Sequence, residues 1–333
     1  MRGVLPVKWT GKKIKSFFNS VGHFFKEKFQ NHRESVKQEK YEKEHDLLFK
    51  RKKAEKVAFV IMFVVFALFA LSFIFPFLWI LMNSFKTKSE FAKDFMSWPA
   101  AWNWDNFARA FAFKNATTKN YTVFQMMGMS IIVAGGGTLA TVLTSSCAAY
   151  VVAKYKFPGR GLIFGVVIFS MIVPLVGVLP SQIQFMKAMH LDQTEIGLIF
   201  LYSGGFGSNF LLLYSFFKNL SWTYVEAAKI DGASDFRIFF QIIVPMAKGP
   251  IIAVGILSLI GLWNDYFNPS IFLSKKPTIA VGIYYMQQAM LVTKGEYPLF
   301  FATIIVTIIP ILLVFCLFSK TIMNNTAVGG LKG

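Results

Sequence analysis

The chain has 333 residues, 55% of them hydrophobic and only 16% charged, which excludes an ordinary soluble domain and predicts a polytopic membrane protein. Its formal net charge of +18 is uneven, because residues 1–56 hold 16 Lys and Arg against 7 Asp and Glu and so contribute half of the excess. A basic arm ahead of a membrane span favours the cytoplasmic face and anionic lipid as its contacts, not nucleic acid.

Residues 1–56 are therefore predicted to be a basic cytoplasmic N-terminal extension. Between Ile14 and Phe29 the apolar side chains recur on one helical stripe, with lysines flanking it or lying opposite. This pattern is typical of an amphipathic helix that lies in the membrane interface and directs lysines towards lipid phosphates. A helix packed on a partner subunit is the alternative interpretation.

A transmembrane domain is predicted over residues 57–333. Its first span is Val57 to Leu81, which contains no charged residue in 25 positions. A polar loop, Asn83 to Asn120, follows. Its tryptophans, Trp98, Trp102 and Trp104, favour anchoring at the outer membrane interface over ligand binding.

The stretch from Tyr121 to Ala153 lacks charge and is too long for one upright helix, so we expect an outer approach segment followed by one span. Its glycine run, residues 135–137, indicates either a kink or a close helix contact. The remaining spans and outer loops follow from the same pattern. Spans are predicted at 162–179, at 196–217 with a Gly-rich break, at about 250–267 and at 298–319, and outer loops at 181–195 and 274–297. Six spans place both termini in the cytoplasm and short basic loops inside.

The longest polar stretch between later spans runs from Tyr224 to Pro250 and is hereafter called the island. A helix is predicted over Val225–Ile230, ended by the turn dipeptide Asp231-Gly232. Ser234 or Asp235 is expected to cap a second helix that ends at Pro245. Four aromatic or aliphatic residues are expected on one face of that helix, namely Phe236, Phe239, Phe240 and Ile243. Such a helix–turn–helix suits docking in a groove on another protein, whereas an ordinary cytoplasmic loop is the alternative.

The spacing Glu-Ala-Ala-x3-Gly-x9-Ile-x-Val-Pro in the island resembles the EAA loop of permease subunits in bacterial ABC importers. The Asp-Gly-Ala version found here is similar to the carbohydrate-uptake permeases of the maltose type, with Val244 in place of the more usual Leu. Four further stretches share the resemblance, which covers about residues 57–333: PFLWILMNSFK at 76–86, AAYVVAKYKFPGR at 148–160, WNDYFNPSIFL at 263–273 and GGLKG at 329–333.

This resemblance implies an all-α ABC importer type I permease fold with about six transmembrane helices in a bacterial cytoplasmic membrane. It also implies a second homologous permease subunit, two cytoplasmic ATPase subunits and an extracytoplasmic sugar-binding protein as partners. The function implied is ATP-driven import of a sugar or oligosaccharide. The residues that would couple the permease to the ATPases are Glu226, Ala227, Ala228, Asp231, Gly232 and Ala233.

Catalytic and metal-binding patterns are missing from the sequence. It contains no P-loop run, and its four histidines have no metal-ligand spacing, so we expect no catalytic residue, no metal and no cofactor. Cys147 and Cys316 lie in apolar stretches and are expected to be reduced thiols. ATP hydrolysis would then belong to partner subunits.

A possible substrate path is suggested by Trp263, Asn264 and Asp265, because aromatic faces and polar edges suit hydroxylated rings. An interfacial anchor at the outer end of the fifth span is the alternative, and the same two interpretations hold for Asn209 and Gln125. A permease for a non-sugar solute, a secondary carrier and an integral-membrane enzyme are the alternative functions. A proton-coupled carrier would normally need charged residues within its spans, and these are scarce here.

Overall fold

A computed structural model describes residue 37 and residues 53–112, 114, 120–172, 177–293 and 295–328. The predicted amphipathic stripe at 14–29 and the closing GGLKG lie outside these residues. In the described part the chain is helical and contains no strand, as the predicted all-α class requires. The α-helices are α1 (Lys53–Ser84), α2 (Lys88–Lys93), α3 (Asp105–Ala112), α4 (Val123–Lys154), α5 (Arg160–Ile172), α6 (Val178–Ala188), α7 (Glu195–Tyr202), α8 (Ser208–Asn219), α9 (Thr223–Ile230), α10 (Asp235–Ile238), α11 (Val244–Met246), α12 (Lys248–Asn264), α13 (Phe267–Phe272), α14 (Ile279–Thr293) and α15 (Tyr297–Val328), with a π-helical segment, Phe239–Ile243, between α10 and α11.

The chain divides into two compact units, residues 1–75 and residues 76–333, at Pro76 inside α1. Among the described residues, three helical stretches are long and apolar enough to cross a membrane. They are Glu55–Ser84, Val123–Lys154 and Tyr297–Phe318, with mean hydropathies of 3.0, 1.7 and 2.9. A bent pair, Asp235–Met246 with Lys248–Asn264, makes a fourth candidate. The six-span count therefore stays a prediction.

Helix α4 is the element on which the second unit is assembled. It runs for 32 residues without interruption, so any approach segment before the span belongs to the same helix. Thr122 and Gln125 form a capping box at its start, which fixes the first turn and lets the helix extend for ~48 Å. A helix of that length can cross a bilayer at a tilt.

The glycine run in α4 marks a close helix contact and not a kink. A Cβ placed on Gly137 would lie 2.8 Å from Leu262 Cδ1 and 2.9 Å from a ring carbon of Tyr202. A Cβ on Gly136 would lie 2.6 Å from Ile199 Cδ1. These glycines allow α7 and α12 to approach the α4 backbone closely.

The predicted break in the fourth span is present between α7 and α8. Residues 203–207 leave the helix, and Gly207 has a φ of +127°, a value that side chains rarely allow. Gly205 passes the α4 backbone so closely that an added Cβ would lie 3.0 Å from the carbonyl oxygen of Thr144. The break therefore lies against the middle of α4.

Two segments predicted to be outer loops are largely helical. Helix α6 occupies part of 181–195, and α14 occupies much of 274–297. Met186 and Met286 are buried, and the backbone N–H of Ile279 donates a 2.8 Å hydrogen bond to Ser130 Oγ on α4. Both segments carry apolar residues that pack within the protein, which the loop prediction missed.

In the predicted loop from Asn83 to Asn120, the described residues up to 112 include α2 and α3 and are held by specific contacts. The Asn106 amide donates 2.8 Å hydrogen bonds to the carbonyl oxygens of Ser84 and Lys86. The buried Lys86 ammonium donates to the Asp94 carbonyl oxygen at 2.9 Å. The three tryptophans of this loop are exposed, so their role as interfacial anchors stays a prediction.

Candidate functional site

The island begins as the sequence predicts, with a helix closed by a glycine turn. After α9, Gly232 adopts a φ of +78°. Its N–H donates to the Lys229 carbonyl oxygen, and the N–H of Ala233 donates to that of Ala228, both at 3.0 Å. This pair of hydrogen bonds is a Schellman motif, in which the left-handed position favours glycine. Ser234 then caps α10 by accepting a hydrogen bond from the Arg237 N–H.

Helix α9 has one buried face and one exposed face. Val225 and Ala228 are buried in a cluster that includes Tyr150 of α4. Glu226 and Ala227 are exposed on the other face. Of the remaining predicted coupling residues, Asp231 and Gly232 are exposed and Ala233 is half-buried. Most members of the motif are thus exposed, while Ala228 packs the helix against the protein's own core.

The predicted single apolar face of the second helix is wrong. Phe236 and Phe240 are exposed and stack on each other at 6.4 Å, whereas Phe239 and Ile243 are buried. Phe236 and Phe240 are four residues apart and share the outer side of the helical path, whereas Phe239 and Ile243, also four apart, share the side that packs in the apolar cluster. The outward aromatic pair enlarges the exposed apolar surface of the island.

The expected stop at Pro245 is also displaced. The helical path continues through Pro245 to Met246 and then bends by 80° into α12. The N–H of Val244 donates to the carbonyl oxygen of Phe239 in the π-helical pattern, and Pro245 lies in the first turn of α11, where a missing N–H is tolerated. The island is therefore joined directly to the next span by a sharp bend.

Three side chains form a polar group where the island meets the C-terminal end of α4. The Tyr155 hydroxyl donates a 2.8 Å hydrogen bond to Asp235 Oδ1, and Lys229 Nζ lies 3.2 Å from the same oxygen. The hydrogen bond from Tyr155, followed by that from Lys229, holds the pKa of Asp235 below its usual value, so this carboxylate is ionised at neutral pH. No motif in the sequence indicated this group.

The second candidate region surrounds Asp265. Its Oδ2 accepts hydrogen bonds from the Tyr202 hydroxyl at 2.8 Å and from the Asn268 amide at 2.7 Å. Thr141, about midway along α4, donates a 2.8 Å hydrogen bond to the Tyr202 carbonyl oxygen. Asp265 directly follows the last residue of α12, at the end of the predicted fifth span as expected, and Tyr202 connects it to the middle of α4. That this end of the span faces outward stays a prediction. The tyrosine next to a glycine-rich break was the available sequence signal for Tyr202.

The other predicted path residues have separate environments. Trp263 is buried in an apolar cluster, and Asn264 is exposed with its amide bonded to the Ile260 carbonyl oxygen. The Asn209 amide donates to Ser258 Oγ at 2.9 Å, between α8 and α12. Gln125 is a helix cap. Only Asp265 among the predicted trio joins a polar network that links several helices.

No set of three or more His, Cys, Asp or Glu residues with metal-binding geometry occurs within the described ranges. The site is defined instead by an exposed helical island on one side and a polar network beside the middle of α4 on the other.

The sequence profile of the family described as "Binding-protein-dependent transport system inner membrane component" matches residues 140–321, more than half of the chain, and these residues include both regions. The chain belongs to this family. It is accordingly a membrane component of a binding-protein-dependent transport system, as the resemblance of the island predicted.

Curated relatives agree with membership of this transport family. The diacetylchitobiose uptake system permease protein NgcG of Streptomyces coelicolor is 34% identical over 261 residues, which are 76% of this chain and 82% of that protein. The probable starch degradation products transport system permease protein AmyC of Thermoanaerobacterium thermosulfurigenes is 30% identical over 79% of this chain and 93% of its own length.

A solved structure has the same fold. It is the crystal structure of a bacterial ABC transporter involved in the import of the acidic polysaccharide alginate, which matches with a TM-score of 0.67 over 81% of this chain and 98% of the solved chain. The sequence identity is 20%, so this likeness concerns the fold. The expected ABC importer permease fold is confirmed.

Proposed function

We propose that this permease subunit imports a sugar or oligosaccharide in an ATP-driven transporter. Support comes from the named substrates of its relatives, which are diacetylchitobiose and starch degradation products. The structure adds a polar network around Asp265. Its carboxylate, and the Tyr202 hydroxyl and Asn268 amide bonded to it, are groups of the kind that hydrogen-bond sugar hydroxyls. In this proposal Trp263, Asn264 and Asp265 lie along or beside the substrate path.

The island is proposed as the site that docks the ATPases. The observation that carries this assignment is the division of α9 into a buried face, with Val225 and Ala228, and an exposed face, with Glu226 and Ala227. A helix fixed in this way can transmit a push from a bound partner, because its inner side chains are packed into the transmembrane helices. The turn at Gly232 sets the direction of the helix that follows.

The complete transporter is proposed to contain this chain, a second homologous permease, two cytoplasmic ATPases and an extracytoplasmic binding protein. We place both termini in the cytoplasm, with six spans, and assign residues 1–56 to a basic extension that contacts anionic lipid. ATP-driven closure of the ATPases would move the island and rock the spans between inward and outward openings.

The test is isolation of the native complex through an affinity tag on this chain, followed by identification of its partners and of the sugar held by its binding protein. Uptake into liposomes that requires ATP and the binding protein is the expected result. Uptake by the purified chain alone would favour a secondary carrier, and a binding protein that holds an amino acid or peptide would favour a permease for a non-sugar solute.

A further inference from the structure

The inner end of α4 is attached to the stretch around the island at two points. Tyr155, directly after the helix, donates its hydroxyl to Asp235, and Lys154, the last helical residue, donates from its ammonium to the Leu220 carbonyl oxygen. Leu220 lies between α8 and α9, and Asp235 begins α10. The two bonds therefore hold α4 on both sides of α9.

We propose that Tyr155, Asp235 and Lys229 form a latch through which movement of the island is passed to α4. The proposal rests on the function proposed above and adds positioning residues that lie outside the coupling motif. Lys229 precedes the Gly232 turn and Asp235 follows it, so their ion pair closes the turn while Tyr155 ties it to the long helix.

The position of the Tyr155 hydroxyl is fixed by the packing of its ring. The ring makes edge contacts with Trp222 at 5.8 Å and with Tyr150 at 5.7 Å. Trp222 immediately precedes α9, and Tyr150 lies one turn earlier in α4. A displacement of α9 therefore acts on Tyr155 through Trp222 as well as through Asp235.

Helix α4 connects this latch to the polar network beside its middle. The helix is unbroken from Lys154, the neighbour of Tyr155, back to Thr141. The Thr141 hydroxyl donates to the Tyr202 carbonyl oxygen, and the Tyr202 hydroxyl in turn donates to Asp265. An unbroken helix moves as a rigid element, so a displacement at its inner end is felt at this network. The latch thereby provides a physical link from the ATPase side to the proposed substrate path.

The test uses the full transporter, with both permeases, the ATPases and the binding protein, reconstituted in liposomes. Tyr155→Phe removes only the hydroxyl and keeps the ring contacts, and Asp235→Asn removes the charge at nearly constant size. Tyr214→Phe is the matched control, because its ring packs in the same apolar cluster but does not contact Asp235. The first measurement is the increase in ATP hydrolysis on addition of the binding protein with a partial hydrolysate of chitin and starch. The second is the amount of ATPase that co-purifies with each permease variant.

Tyr155 lies outside the island, so we expect Tyr155→Phe to keep its ATPases and its basal hydrolysis. In both latch variants the stimulated rate should fall about threefold, the effect of losing one partly exposed hydrogen bond. The double variant should be no worse than either single one, because both break the same link. Unchanged stimulation, additive losses, or loss of the ATPases from Tyr155→Phe but not from Tyr214→Phe would overturn the latch. A wild-type complex without ATPases or stimulation would contradict the proposed function, and the latch with it.

Discussion

Tyr202 and Asp265 are 63 residues apart in sequence and are joined by a 2.8 Å hydrogen bond between the phenol hydroxyl and Oδ2 of the carboxylate. The bond joins the end of α7, at the break in the helical path, to the residue that follows α12. Helices α7 and α12 also pack on α4. The bond therefore fixes how α4, α7 and α12 meet.

The first prediction concerns that bond. Tyr202→Phe removes its donor while leaving Asp265 bonded to Asn268, so we expect a loss of about 1 kcal/mol in unfolding free energy and reduced uptake with the ATPases still bound. Thermal unfolding in detergent and liposome uptake measure the two effects. Asp265→Asn should lower the unfolding free energy less in the Tyr202→Phe background than in the wild-type protein, because the bond between the two side chains is already lost. Fully additive losses would mean that the two side chains do not stabilise the protein through this bond.

The second prediction concerns Gly232. A Cβ at this position would meet no atom within 4 Å, so any effect of a substitution comes from the φ of +78° and not from a clash. Gly232→Val should strain the turn by about 1–2 kcal/mol and abolish transport while the permease remains inserted. Gly232→Ala should be milder, and Gly232→Asn milder still, because asparagine tolerates the left-handed region.

Substrate-stimulated ATP hydrolysis, uptake and recovery of the ATPases are the measurements for this series. Glu226→Lys is measured alongside the Gly232 variants, because it reverses a charge on the exposed face of α9 without altering the turn. We expect it to release the ATPases or to separate their hydrolysis from substrate. Normal uptake by Gly232→Val would show that the island does not couple ATP to transport.

The third prediction concerns the close contact at Gly137. Gly137→Ala places a Cβ 2.8 Å from Leu262 Cδ1, which can move aside, and 2.9 Å from a ring carbon of Tyr202, whose hydroxyl is bonded to Asp265. The stiff ring should be displaced from α4, at a cost of about 1–3 kcal/mol. Gly135→Ala is the matched control two residues earlier, where an added Cβ meets no atom within 4 Å. The midpoint of thermal unfolding in detergent should fall only for Gly137→Ala. Equal midpoints would mean that the helices are not in this close contact.

The fourth prediction tests the orientation in the membrane. In a background with Cys147 and Cys316 replaced by Ser, single cysteines at Lys156 and Lys218 should be protected from an impermeant thiol reagent in intact cells. Cysteines at Asn115 and Lys294 should react. The reason is the excess of positive charge in the short loops assigned to the cytoplasm. Labelling of the Lys218 position from outside would overturn the six-span arrangement.

The sequence by itself determined the class of the protein and the first half of the island. Apolar composition required membrane spans. The helix over Val225–Ile230, the left-handed Gly232 and a cap at Ser234 or Asp235, found at Ser234, were predicted, because each depends on residues within one or two turns of chain. The family of the chain was likewise readable from the spacing of the coupling motif.

Only the tertiary structure decided which side chains meet. Packing buried Phe239 and left Phe236 and Phe240 exposed, and segments expected to be outer loops formed helices that pack within the protein. The bond from Tyr155 to Asp235 spans 80 residues, so no local period encodes it. Helices and turns follow from interactions between near neighbours, whereas contacts between distant helices depend on where glycines, bends and breaks allow those helices to approach.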